Sequence, residues 1–150
     1  MNTIALRFGE TFAPPEGTIQ AHQLIIDEYG FVWYGKLGTA LSFKVSKEIL
    51  SNEVPKLLLI HSGTPKRYWA FVEDISRTQP DLKYVPPYYH YLSDKVKVWI
   101  KITRFEKAEN DVLAKCFVRS SGTQLTFASQ HSLSPYFIIS YKGDLEDSHE

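Results

Sequence analysis

Between Lys95 and Arg104 apolar and polar residues alternate strictly. Val96, Val98, Ile100 and Ile102 fall on one side, and Lys95, Lys97, Trp99, Lys101 and Thr103 on the other. A period of two predicts a strand with one buried and one wet face. Lys56–Ser62 has no alternation; it is a continuous apolar run bounded by turn residues, and it predicts a central strand buried on both faces. Gly63-Thr64-Pro65 reads as a turn and Arg67–Ile75 as the returning strand, so 57–75 forms a hairpin. Further strands are predicted at Ile4–Phe8, Thr18–Ile26, Phe31–Gly35, Leu41–Lys44, Val112–Val118, Gln124–Phe127 and Tyr136–Tyr141. The best helix is Ser46–Leu50, capped by Ser46 and unable to extend past Pro55. Residues 77–87 read as a polar loop ending in two prolines.

Many short strands, spaced roughly 8–15 residues apart, predict a mainly β fold. The expected form is a β-barrel or a strongly bent antiparallel or mixed sheet with one or more short helices. The 150 residues suit one domain, expected over 1–141, with 142–150 as a disordered acidic tail. No run of 18 apolar residues is present, and the first residues lack a basic segment followed by an apolar one. The expectation is a cytoplasmic protein without a membrane span.

Charge changes this picture a little. The formal net charge is zero, yet residues 36–104 hold 12 Lys or Arg against 6 Asp or Glu, while both ends are acidic. A basic middle hints at a polyanionic partner; a mixed surface with an acidic tail is the alternative. Cys116 is the only cysteine, which excludes an internal disulfide and a cysteine-based zinc site, and its apolar neighbours make it core filler. Phosphate-cradling, nucleophile-elbow and zinc-protease motifs are absent, and the five histidines lack metal-ligand spacing. The expectation is a non-enzymatic protein without cofactor or metal.

Binding features stand out more. Lys95, Lys97 and Lys101 around Trp99 form a stripe able to follow a phosphate backbone, with one ring for stacking. Lysines that discourage edge-to-edge aggregation are the alternative. Trp33, Tyr34, Trp69, Tyr88 and Tyr89 fall beside turns, as do His61 and Ser62. Brought together by a barrel, such rings would make a cage for a flat base, read by hydrogen bonds. The alternative is that they are large core residues.

The series Trp33-Tyr34-Gly35-Lys36, Lys56–Gly63, Tyr68–Ile75, Pro86-Pro87-Tyr88-Tyr89 and Val98-Trp99-Ile100-Lys101-Ile102 resembles the PUA-like superfamily, especially its EVE and ASCH-type branches. The resemblance implies a pseudobarrel that binds RNA or modified DNA bases; some such domains serve as specificity modules of modification-dependent restriction systems. It implies pocket positions at Trp33, Trp69, Tyr88 and Tyr89, hydrogen bonds from His61 and Ser62, and phosphate contacts from Lys36, Lys66 and Arg67. The expected partner is DNA or RNA, modified or not, with other domains or subunits of a larger system as further partners. A protein-interaction or small-ligand barrel is the alternative, because exposed Tyr and Trp also anchor protein interfaces.

Overall fold

In the computed structural model, which describes residues 1–143, the run of apolar residues becomes the centre of one seven-stranded mixed sheet. The strands are β1 (Asn2–Phe8), β2 (Val32–Lys36), β3 (Lys56–His61), β4 (Arg67–Ser76), β5 (Val98–Lys107), β6 (Cys116–Val118) and β7 (Tyr136–Tyr141). Their spatial order is β2-β5-β4-β3-β1-β7-β6. β1 and β3 pair in parallel, from Ala5 opposite Leu58 to Phe8 opposite His61. The other pairings are antiparallel, including the expected β3–β4 hairpin.

β3 is buried on both faces, as its sequence demands. Leu57 and Leu59 join a core with Ile4, Leu6, Phe8, Val32, Tyr34 and Ile100, under the helices α1 (Thr18–Tyr29) and α2 (Phe43–Leu50). Leu58 and Ile60 join a second core with Trp69, Leu113, Cys116, Phe137 and Tyr141, closed by the helix α3 (Leu125–His131). Register shifts around Val72 break the β4–β5 ladder, and such irregularities bend a strand and increase its twist. The bending is large. Lys36 on the edge strand β2 stands over the ring of Tyr136 at the start of β7, five places away in the sheet order.

Several elements differ from the sequence pattern. Thr18–Ile26, expected as a strand, is part of α1. Its β-branched residues sit at helical spacing, with Thr18, Ala21, His22, Ile25 and Ile26 turned to the core. The start signal is not local, because Gly17 offers no side-chain cap. The Glu10 carboxylate instead accepts from Thr18 N at 3.2 and 3.4 Å. Gly30, with φ of 86°, ends the helix in the left-handed region that glycine tolerates. α2 begins earlier than expected and takes in Phe43 and Lys44 of the predicted strand Leu41–Lys44; its cap is Ser42, not Ser46, and accepts from Val45 N at 3.1 Å. Gln124–Phe127 enters α3, and Val112–Lys115 forms a 3₁₀ turn ahead of β6. The segment after the two prolines, Pro87–Lys95, is a 3₁₀ helix. Of the tail expected to be disordered, residues 144–150 lie outside the described residues. No helix among the described residues is long and apolar enough to cross a membrane.

Candidate functional site

The bend brings the C-terminal ends of β1 and β2 to the same place, at the start of α1 and beside the Pro87–Lys95 segment. Between them lies a cavity of about 240 Å³. Its lining includes Leu6, Arg7, Phe8, Gly9, Thr18, His22, Tyr34, Gly35, Lys36, Tyr88, Tyr89 and Pro135. Tyr34 and Lys36 point to one face because they are two apart on a strand. Gly35 between them lets a wall close in. A Cβ there would meet Tyr89 Cε1 at 2.8 Å, Val96 Cγ2 at 2.9 Å and Trp99 Cζ3 at 3.0 Å. Tyr89 is fixed over this glycine, its hydroxyl donating to Gly35 O at 3.0 Å.

The rings form a linked set. His22 lies 4.9 Å from Tyr34 and 6.3 Å from Tyr88, and Tyr88 stands edge-on to Tyr89 at 5.6 Å. Burial raises the pKa of all three phenols, and neighbouring tyrosines add to the effect on Tyr34 and Tyr89. They therefore stay protonated at neutral pH. His22 is only 2% exposed, and burial drives its pKa down to about 4 against the opposing Thr18 hydrogen bond. Its Nδ1 lies 2.7 Å from Thr18 O; that partner makes Nδ1 the donor and leaves Nε2 as an acceptor.

Lys36 is the buried cation of the cavity, whose lining also includes the half-buried Arg7. It is 3% exposed and donates to the carbonyls of Leu37, at 3.4 Å, and Thr39, besides standing 4.8 Å from the Tyr136 ring centre. Among the described residues it pairs with no carboxylate. Desolvation lowers its pKa. A buried ammonium held only by carbonyl dipoles and a ring has capacity left for an anionic or carbonyl oxygen.

The structure thus brings together Tyr34, Lys36, Tyr88 and Tyr89 of the residues singled out in the sequence. The others lie elsewhere. Trp99, expected on a wet face, is 1% exposed and packs at Gly35, where the Tyr89 ring and the Val96 side chain also converge. It is not available for stacking. Trp69 is 3% exposed in the second core, where its Nε1 donates to Glu109 at 3.2 Å. Trp33 is half-buried on the edge strand β2, opposite Lys101 and outside the cavity lining. His61 and Ser62 border a separate groove at the β3–β4 turn. Lys66 is exposed and Arg67 half-buried at that turn. Lys95 and Lys97 are exposed, whereas Lys101 is tied to Glu73 at 3.2 Å and covers Phe31 at 4.4 Å. Lys36 is too deep to follow a backbone on the surface and faces the cavity instead. Sequence reasoning missed Arg7, Phe8, Thr18 and His22. The 3.6-residue spacing of Thr18, Ala21, His22 and Ile25 was the signal for the last two.

Around Trp69 the same residue types are closed off. Glu109 accepts from Trp69 and, at 2.6 Å, from the Tyr141 hydroxyl, with the Lys115 ammonium 3.8 Å away. Partial burial works against the Glu109 charge, but these donors outweigh it and hold its carboxyl below the ordinary value. Cys116, buried nearby, has its thiol pushed up to about 12 by burial and by Glu109. No group of three or more metal-ligating side chains occurs among the described residues.

No curated protein and no solved structure matches the chain. The model of the Pua-like family, however, matches residues 4–138, which span β1 to β7 and every wall of the cavity. The chain belongs to the Pua-like family, which suggests a PUA-type nucleic-acid-binding domain and, in general, a binding module rather than a catalyst.

Proposed function

We propose that this protein binds nucleic acid by taking one base, modified or flipped out of its stack, into the cavity between β1, β2 and the Pro87–Lys95 segment. The observation that carries this reading is the composition of that cavity: neutral rings from Tyr34, Tyr88 and Tyr89, an acceptor nitrogen on His22 and one buried cation, Lys36. About 240 Å³ is below the roughly 300–1,000 Å³ of drug-sized sites, and it suits a ligand as small as a single heteroaromatic base. The rings supply stacking, which is sequence-tolerant. The Lys36 ammonium would donate to a carbonyl oxygen of the base and His22 Nε2 would accept from a ring or exocyclic N–H. Exposed Lys95 and Lys97, on and just beyond the segment that carries Tyr88 and Tyr89, would meet the flanking phosphates. A role as the specificity domain of a modification-dependent restriction system or of an RNA-related system follows from the same reading.

Fluorescence titrations with short DNA and RNA strands that carry one modified or unmodified base, across salt, test this. The expected result is base-dependent affinity that falls in Tyr88→Ala while the salt dependence is retained. Equal affinity for every base and for an abasic strand would refute it.

A further inference from the structure

We infer that a second site, distinct from the aromatic cavity, holds a phosphodiester of the bound strand in the groove between the β3–β4 turn and the α3–β7 connection. This open groove, of about 700 Å³, is lined by Arg7, His61, Ser62, Thr64, Arg67 and Ser129 among others, and no Asp or Glu lines it. Two polar atoms of the groove's lining residues are buried without a hydrogen-bond partner among the described residues: His61 Nδ1 and Arg67 Nε. Such groups are rare in folded proteins and call for an explanation. They lie on adjoining strands at the same turn, where His61 N donates to Lys66 O at 3.0 Å and Ile60 pairs with Arg67. The Arg67 side chain makes no hydrogen bond or ion pair among the described residues.

Arg7 joins this groove to the cavity, since it lines both. Its guanidinium is oriented by three carbonyls of the connection, at 2.6 Å from Ser129, 2.8 Å from Ser132 and 2.9 Å from Ser134. None of these neutralises its charge. Elsewhere Lys101 lies against Glu73, Lys115 against Glu109 and Asp111, and Arg119 against Glu48. The Glu10 carboxylate meets the other nitrogen of His61, with Oε1 3.6 Å from Nε2. Two guanidinium groups that meet no acid among the described residues, beside exposed hydroxyls, form a receptor for a phosphate, which accepts hydrogen bonds from each of them. The groove is too open to enclose a lone ion, and its continuity with the cavity through Arg7 favours a strand whose base enters the cavity while a neighbouring phosphate rests here. This inference rests on the base-binding reading for its geometry, but its test does not.

The test uses an abasic oligonucleotide, which lacks the base, and inorganic phosphate, which lacks the strand. Expected for the intact chain is salt-dependent binding of the abasic strand and only weak perturbation of the Arg67 Nε–H resonance by inorganic phosphate. Arg67→Gln should reduce the slope of log affinity against log salt by about 0.7, the value for one phosphate contact on a single strand. Ser62→Asp, at an exposed position that leaves packing untouched, should weaken binding on the order of tenfold by placing like charge in the groove. Failure of the abasic strand to bind, an unchanged slope in Arg67→Gln, or an unaffected Ser62→Asp would each overturn the inference. Loss of base discrimination with these effects intact would overturn the base-binding reading alone.

Discussion

Two regions of this molecule are built from the same ingredients, rings gathered around a charged side chain, and they differ in what is left unmet. Around Glu109, the Trp69 indole and the Tyr141 phenol both donate to the carboxylate, Lys115 lies close, and Lys56 caps the indole face at 4.4 Å. Around Lys36, the ammonium reaches only carbonyls and the face of Tyr136 among the described residues, and the neighbouring rings enclose about 240 Å³ of open space. The first arrangement joins the core to itself. The second has donor capacity, acceptor capacity and volume to spare. Aromatic abundance therefore does not identify a site in this chain; incomplete satisfaction beside empty space does.

The largest expected break of this comparison is Trp69→Ala. It should lower stability by about 3–5 kcal/mol in urea unfolding, as for large-to-small core substitutions, while the folded fraction still binds an oligonucleotide. If instead base discrimination alone were lost, Trp69 would belong to a site. The acid limb of stability comes next. His22 has a folded pKa of about 4 against 6.5 for the free side chain, so the unfolded chain binds its proton first. Its contribution is complete above pH 6.5 and is lost as pH falls towards 4, amounting to roughly 3 kcal/mol. Thermal unfolding of the intact chain and of His22→Phe should diverge in pH dependence across this window.

Glu109→Ala should cost about 1–3 kcal/mol, because it strands the Trp69 and Tyr141 donors. Since the Glu109 carboxyl titrates below its ordinary value, this contribution is present at neutral pH and disappears as pH falls through the lowered value. Gly35→Ala should cost a similar amount, about 1–3 kcal/mol, by overpacking against Tyr89 and Trp99, and should also weaken base binding by moving the Tyr89 wall. Tyr88→Ala sharpens the contrast from the other side. Tyr88 is half-buried and lines the cavity, so its loss should alter stability least and reduce base affinity by about 1–3 kcal/mol, the worth of one stacked base. Equilibrium unfolding and fluorescence titration of the same preparations would separate the two effects.

Elements whose periodicity matched one environment were legible. The uninterrupted run at β3, the hairpin to β4 and the inward series Val98, Ile100 and Ile102 all follow from hydrophobic position. The pattern failed where a distant residue supplied the deciding interaction. α1 is capped by Glu10 across a loop, so no local signal marks its start, and its isoleucines and threonine suggested a strand. Trp99 obeyed its strand phase, but it is buried at Gly35 with Tyr89 and Val96, neighbours that no period reveals. Of the proposed site residues, Tyr34, Lys36, Tyr88 and Tyr89 were reachable because they fall at strand ends or beside Pro86-Pro87. Arg7 was not, since nothing in its own segment marks it as a neighbour of those rings; for His22 the helical spacing of α1 marked an inward face but not which rings it meets.

By itself the sequence determined a mainly β fold, because strand periodicity and turn residues act over a few positions, and its series of strands and rings carried the resemblance to the PUA-like superfamily. Tertiary structure alone decided which rings face open space. Closing the distance between β2 and β7 depends on bending accumulated over the whole sheet, and the Lys36–Tyr136 contact at the cavity wall exists only once that bend has formed.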